Sequence, residues 1–147
     1  MPRMKTMNEN SKSKLKAIGH LSLNVNENNE GEEQVPTSRF VMDPDLTLLY
    51  IAGWAGAAPT SQGVEIVILK EIEAHTTYPF ESGSAVGSYN PKNFSGSSWS
   101  SVSQSGEVTV EEIDLLKRTA KGSFKFTARS RDHEHFAEIH GDFHLQQ

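Results

Sequence analysis

The sequence predicts an all-β protein: a single antiparallel β-barrel or β-sandwich spanning residues 17–147, behind a disordered basic arm over residues 1–16. Apolar residues after Lys16 recur at period two, which puts one face of a strand on a core and the other in water. Turn-forming clusters interrupt these runs every 8 to 15 residues or so, the rhythm of an all-β domain. The 147 residues amount to one domain.

The arm carries Arg3, Lys5, Lys12, Lys14 and Lys16 against the single acid Glu9, with almost no apolar content. Such a composition cannot bury enough surface to fold, so the arm is expected to be disordered. Alternation then begins: Ala17, Gly19, Leu21, Leu23 and Val25 share one face of a first strand. Asn26 to Gly31 reads as a turn. A second strand is expected at Thr37 to Met42, a tight turn at Asp43-Pro44-Asp45, and a third strand at Leu46 to Ala52, apolar on both faces. Gly53 to Pro59 forms a small-residue loop around Trp54. Val64 to Ile72 is the most hydrophobic stretch, with Val64, Ile66, Ile68 and Ile72 on one face, and its β-branched content selects a strand. Thr76 to Phe80 contains Pro79, which a central strand would not tolerate.

Residues 82–105 hold ten serines and three glycines, yet also Tyr89, Phe94 and Trp99, which a flexible linker would lack. One or two Ser-rich strands with exposed hydroxyls fit. Glu107 to Gly122 admits two readings. Thr109-Val110-Glu111-Glu112 matches a helix capping box followed by helical spacing of Ile113, Leu116 and Ala120. Alternatively, Glu107–Ile113 and Ser123–Ala128 form a hairpin with its turn near Leu116–Lys121, and this is preferred because alternation resumes directly at Phe124. The final strand runs from about His135 to Leu145. Ala137, Ile139, Gly141, Phe143 and Leu145 face inward, and Glu138, His140, Asp142 and His144 form the opposite row.

The closing residues also carry a likeness. Gly106-Glu107-Val108-Thr109-Val110, Asp114, Gly122-Ser123-Phe124-Lys125-Phe126-Thr127-Ala128 and Ile139-His140-Gly141-Asp142-Phe143 resemble the closing hairpins of an uncharacterised family of small bacterial β-domain proteins, many of them lipoproteins. The resemblance covers under a third of the chain and implies a β-fold; the family has no established activity to carry over. This chain has no cysteine to accept a lipid.

Charge and composition narrow the function. With 14 basic and 19 acidic residues the formal charge is −5, which argues against a nucleic-acid partner. No apolar run is long enough to span a bilayer and no signal-peptide core follows the first basic residues, so a cytoplasmic protein without a membrane partner is expected. Zero cysteines exclude disulfides and thiolate chemistry. No phosphate loop, dinucleotide fingerprint or nucleophile elbow is present.

Two constellations remain. Trp54, Tyr89, Phe94 and Trp99 lie in turn-rich stretches, where binding residues concentrate, and are the candidate ligand-binding residues. A tryptophan there could stack on a sugar. His133, His135, Glu138 and His140 offer imidazole and carboxylate ligands to a divalent ion such as zinc. The same His/carboxylate row equally reads as the solvent face of an edge strand, or as a patch sensitive to pH or to a partner. The first expectation is thus a non-catalytic module, with no cofactor, that recognises a protein or a small ligand. A basic partner neutralised in the manner of a toxin by its immunity protein is one form of it. The second expectation is a metal-dependent β-barrel enzyme using the C-terminal cluster.

Overall fold

The computed structural model describes residues 16–45, 48–58 and 60–147. Twelve strands make up the regular structure: β1 (Lys16–Leu21), β2 (Leu23–Glu27), β3 (Glu32–Val35), β4 (Arg39–Asp45), β5 (Leu48–Trp54), β6 (Gly63–Ile68), β7 (Thr76–Pro79), β8 (Ala85–Asn90), β9 (Trp99–Ser101), β10 (Glu107–Asp114), β11 (Thr119–Arg129) and β12 (Phe136–Gln146). All twelve pair antiparallel, and no helix occurs among the described residues. The all-β class expected from the sequence is what the chain adopts. The arm to residue 15, Leu46 and Pro59 lie outside the described residues.

The ladder closes on itself. Strands β12, β1, β4, β5, β6, β8, β9 and β11 pair in that order, and β11 returns to β12 along eleven residue pairs from Thr119↔Gln146 to Arg129↔Phe136. Closure leaves the eight strands of the ring without a terminal edge strand among them. Two flaps extend the ring. Beyond β1, β2 runs along the other half of β12 and carries β3; beyond β9, β10 runs along β11 and carries β7.

Inward residues fill the interior, among them Leu23, Met42, Leu49, Ile51, Ile66, Ile68, Tyr89, Phe124, Phe126, Phe143 and Leu145, all buried. On β11 and β12 two aromatic–glycine pairs interlock: Phe124 lies opposite Gly141, and Gly122 opposite Phe143. A Cβ on Gly141 would stand 1.9 Å from the Ser22 carbonyl oxygen and 2.8 Å from the Phe124 ring; one on Gly122 would meet the Thr109 oxygen at 2.0 Å and the Phe143 ring at 2.8 Å. The glycines make room for both the ring and the neighbouring backbone, a device of curved sheets.

Several local expectations are corrected. Asp43-Pro44-Asp45 is strand, not turn: it pairs with Tyr50, Leu49 and Leu48. Pro44 falls where β4 pairs with β5 alone, because among the described residues β4 pairs with β1 only at Phe40 and Val41, so this stretch is an edge on one side, where proline is tolerated. The single first strand is interrupted at Ser22, although β1 and β2 keep one register along β12. β3 was not expected, and its exposed Glu32, Glu33 and Gln34 explain why. Residues 107–129 form the hairpin rather than the helix, with the return strand starting at Thr119. The row Glu138, His140, Asp142 and His144 is exposed, as expected, but on a strand with partners on both sides. Among the described residues β3 and β7 are the outermost strands, and Pro79 closes β7, as its sequence position anticipated.

Candidate functional site

Three connections meet at one end of the ring: the β2–β3 turn, the β8–β9 loop and the β11–β12 turn. They are remote in sequence, but the order β2–β12–β11–β9 brings them together. They enclose an open groove of about 800 Å³, lined by Glu27, Asn28 and Glu30 from the first, by Pro91, Lys92, Asn93, Ser95, Ser97 and Trp99 from the second, and by Ser130, Arg131, Asp132 and His135 from the third.

Hydrogen bonds pin each connection. Asn28 and Asn29 adopt positive φ, 54° and 59°, the backbone of a tight hairpin turn that asparagine tolerates. The Asn28 side-chain oxygen accepts from the Phe136 N–H at 3.0 Å, and its own N–H donates to the Phe136 carbonyl at 2.8 Å, tying this turn to the start of β12. Glu27 ties it to the β8–β9 loop: Oε2 accepts from the Tyr89 hydroxyl at 2.5 Å and from the Lys92 N–H at 2.8 Å. In the third connection Asp132 Oδ1 accepts from the Ser130 hydroxyl at 2.6 Å and from the Glu134 N–H at 3.0 Å. Ser130 Oγ in turn accepts from the His135 N–H at 3.0 Å. His133 completes this turn with φ 64°.

The result is a column of rings running outward. Tyr89, fully buried, meets Trp99 edge-on at 5.8 Å, and the imidazole of His135 lies parallel to Trp99, 9° from coplanar, also at 5.8 Å. His135 is exposed, so the column ends at the groove. Burial, and then the bond donated to Glu27, hold the Tyr89 phenol protonated far above its ordinary value. The Ser130 hydroxyl and then the Glu134 N–H keep the Asp132 carboxyl below its ordinary range, so it is an anion at neutral pH. The groove therefore presents an aromatic floor, carboxylates at Glu27, Glu30 and Asp132, cations at Lys92 and Arg131, and amide or hydroxyl groups at Asn28, Asn93, Ser95, Ser97 and Ser130.

Of the four aromatic candidates, Trp99 borders the groove and Tyr89 stands behind it in the core. Phe94 is half-buried on the β8–β9 loop but does not line the groove. Trp54 lies buried at the end of β5, and its indole nitrogen has no hydrogen-bond partner among the described residues. The four metal candidates separate: His133 is in the β11–β12 turn, His135 stacks on Trp99, and Glu138 and His140 stand on the outer face of β12, His140 Nε2 lying 2.5 Å from Glu32 Oε1. Among the described residues no group of three or more His, Asp or Glu could hold a metal ion. His133 and His135 both precede β12, which begins at Phe136, so strand alternation does not set them on one face.

Glu27, Asn28, Lys92, Ser130 and Asp132 were not anticipated. The signals in the sequence were the turn-forming Asn28-Asn29 and the Ser130-x-Asp132 spacing, both short-range side chain–backbone patterns. No protein-family model, curated protein or solved structure matches this chain.

Proposed function

We propose that the protein is a non-catalytic binding module whose ligand is a small, hydroxyl-rich molecule of saccharide type, held in the groove at the β2–β3, β8–β9 and β11–β12 end. The observation that carries this reading is the combination of a pinned aromatic floor, Trp99 and His135, with walls of amide, hydroxyl and carboxylate groups. A sugar ring offers C–H groups to an aromatic face and hydroxyls to paired acceptors and donors, which is what such walls supply. Because the hydrogen bonds through Glu27, Asn28 and Ser130 fix the three connections in advance, little ordering cost would be charged to binding. The other form of the binding-module reading, a basic protein partner, rests on net charge alone.

A panel of neutral and acidic oligosaccharides tests the reading by calorimetry. At least one binds with a Kd below about 1 mM, and His135→Ala, an exposed substitution that leaves the unfolding midpoint in place, weakens it at least about tenfold. Failure of every sugar to bind, or equal binding by the variant, overturns it.

A further inference from the structure

The charged groups of the groove are unequally engaged. Lys92 Nζ lies 3.6 Å from Glu33 Oε1, so its charge is matched by a carboxylate of β3 that does not itself line the groove. Arg131 has no ion pair among the described residues. Against these two cations stand Glu27, Glu30 and Asp132 on the walls and Glu33 beside Lys92. The groove is thus net anionic, and it belongs to a body whose residues 17–147 hold 9 basic and 18 acidic side chains. A field of this sign draws in cations and repels acidic ligands.

The carboxylates also differ in what they leave free. Glu27 is half-buried, and its Oε2 is taken by the Tyr89 hydroxyl and the Lys92 N–H, so its part is to hold two connections together. Glu30 and Asp132 are exposed. Asp132 engages Oδ1 alone, with the Ser130 hydroxyl at 2.6 Å and the Glu134 N–H at 3.0 Å, and its Oδ2 has no hydrogen bond among the described residues. The same Ser130 oxygen accepts from the His135 N–H at 3.0 Å, so one hydroxyl couples this carboxylate to the residue whose imidazole lies on Trp99. One pinned turn therefore sets an aromatic face and a half-free carboxylate side by side.

A pyranose laid on an aromatic face gives that face its axial C–H groups and turns its equatorial substituents sideways, to the walls. We infer, resting on the saccharide reading above, that the preferred ligand is an amino sugar: its ring lies on His135 over Trp99, and an equatorial ammonium donates to Asp132 and Glu30. Charge-assisted bonds of this kind are stronger than those a neutral hydroxyl makes. An acidic sugar could reach Arg131, but only among a larger number of carboxylates. A polyamine would use the carboxylates and leave the aromatic face idle.

Calorimetry with cellotriose and with the glucosamine trimer of the same linkage tests this, since the two differ by a hydroxyl in place of each ammonium. At about pH 6.5 the amines are largely protonated and the carboxylates ionised. The glucosamine trimer binds at least about fivefold more tightly, and the ratio falls towards one as salt is raised to 0.5 M or so. Asp132→Asn with Glu30→Gln keeps the shape of the walls, leaves cellotriose binding within about twofold and abolishes the preference. Glu30→Gln alone, at an exposed side chain, lowers the ratio in part. His135→Ala weakens both trimers alike. Equal binding of the two trimers by the parent protein overturns this inference and leaves the saccharide reading standing, whereas binding of neither overturns both. A preference that survives the double variant or high salt also overturns the inference, as does spermidine binding as tightly as the glucosamine trimer.

Discussion

Tyr89→Phe removes one oxygen from the place where core and groove meet. The phenol donates to Glu27 Oε2 at 2.5 Å and accepts from Gln62 Nε2 at 2.8 Å, while its ring packs edge-on against Trp99. The ring survives the substitution, so no cavity term enters. A hydrogen bond to a charged acceptor is worth about 1.5–3 kcal/mol net. Glu27 keeps the Lys92 N–H and is half-buried, so water recovers part of the loss. The expected cost is therefore about 2 kcal/mol, which for a domain of this size lowers the thermal midpoint by about 4–8 °C. Urea unfolding at pH 7, followed by tryptophan fluorescence, measures it. In a double-mutant cycle with Glu27→Gln the two losses fall short of additive by about 1 kcal/mol or more, because both remove the same bond. A loss under about 0.5 kcal/mol, or strict additivity, would show that the Tyr89–Glu27 contact does not join the β2–β3 turn to the ring as described.

The other predictions concern packing, pH and metal. Gly141→Ala drives a Cβ into the Ser22 carbonyl and the Phe124 ring, so it destabilises by about 3 kcal/mol or more, and a variant as stable as the parent in urea would refute the β11–β12 interlock. Tyr50 and Tyr89 both have phenol pKa values raised, first by burial and then by bonds to Glu65 and Glu27. A folded pKa above the unfolded value near 10 gives stability that is complete below about pH 10 and is lost as pH rises through the folded values. Urea midpoints should accordingly be level from pH 8 to 9.5 or so and fall above that, less steeply in Tyr89→Phe; a flat profile to pH 11.5 or so contradicts the burial of these phenols. Excess zinc, manganese or iron should leave the thermal midpoint within about 1 °C, because His133, His135, Glu138 and His140 do not converge, whereas a rise of several degrees would revive the metal-enzyme reading.

Much of the fold was legible because strands covered on one side alternate cleanly. Phe124, Phe126 and Ala128, then Ala137, Ile139, Phe143 and Leu145, fell on the buried faces that their spacing assigned. The helix-or-hairpin ambiguity has a physical source: the register shifts between Val110 and Glu112, leaving Glu111 and Glu112 both exposed and breaking period two just where a capping box can be read. β3 was invisible because an outermost strand with three solvent-facing residues has no apolar pattern to show. Gly122, Phe124, Gly141 and Phe143, each visible as a Gly or Phe in the alternating closing segments, prove to be the interlocking pairs of β11 and β12. The groove was only partly legible. Trp99 and His135 were each singled out, but for different roles, and nothing local in the chain says that residues 27, 99 and 135 meet. That follows from strand order, which single-sequence periodicity does not encode. Tyr89 and Trp54 are core residues, and for Tyr89 the alternation of Ala85, Gly87 and Tyr89 already carried the signal.

The sequence has two tryptophans, so the amide spectrum of the ¹⁵N-labelled protein holds two indole N–H resonances, and they report on opposite expectations. Trp99 is the groove floor beneath His135, and Trp54 is sealed in the core. Titration with the tightest-binding oligosaccharide of the panel should move the Trp99 indole resonance together with the backbone amides of Asn28, Lys92, Ser130 and His135, and leave Trp54 in place. Movement confined to Trp54 or to the outer face of β12, or a Trp99 resonance unmoved at saturating sugar, would contradict binding at this groove.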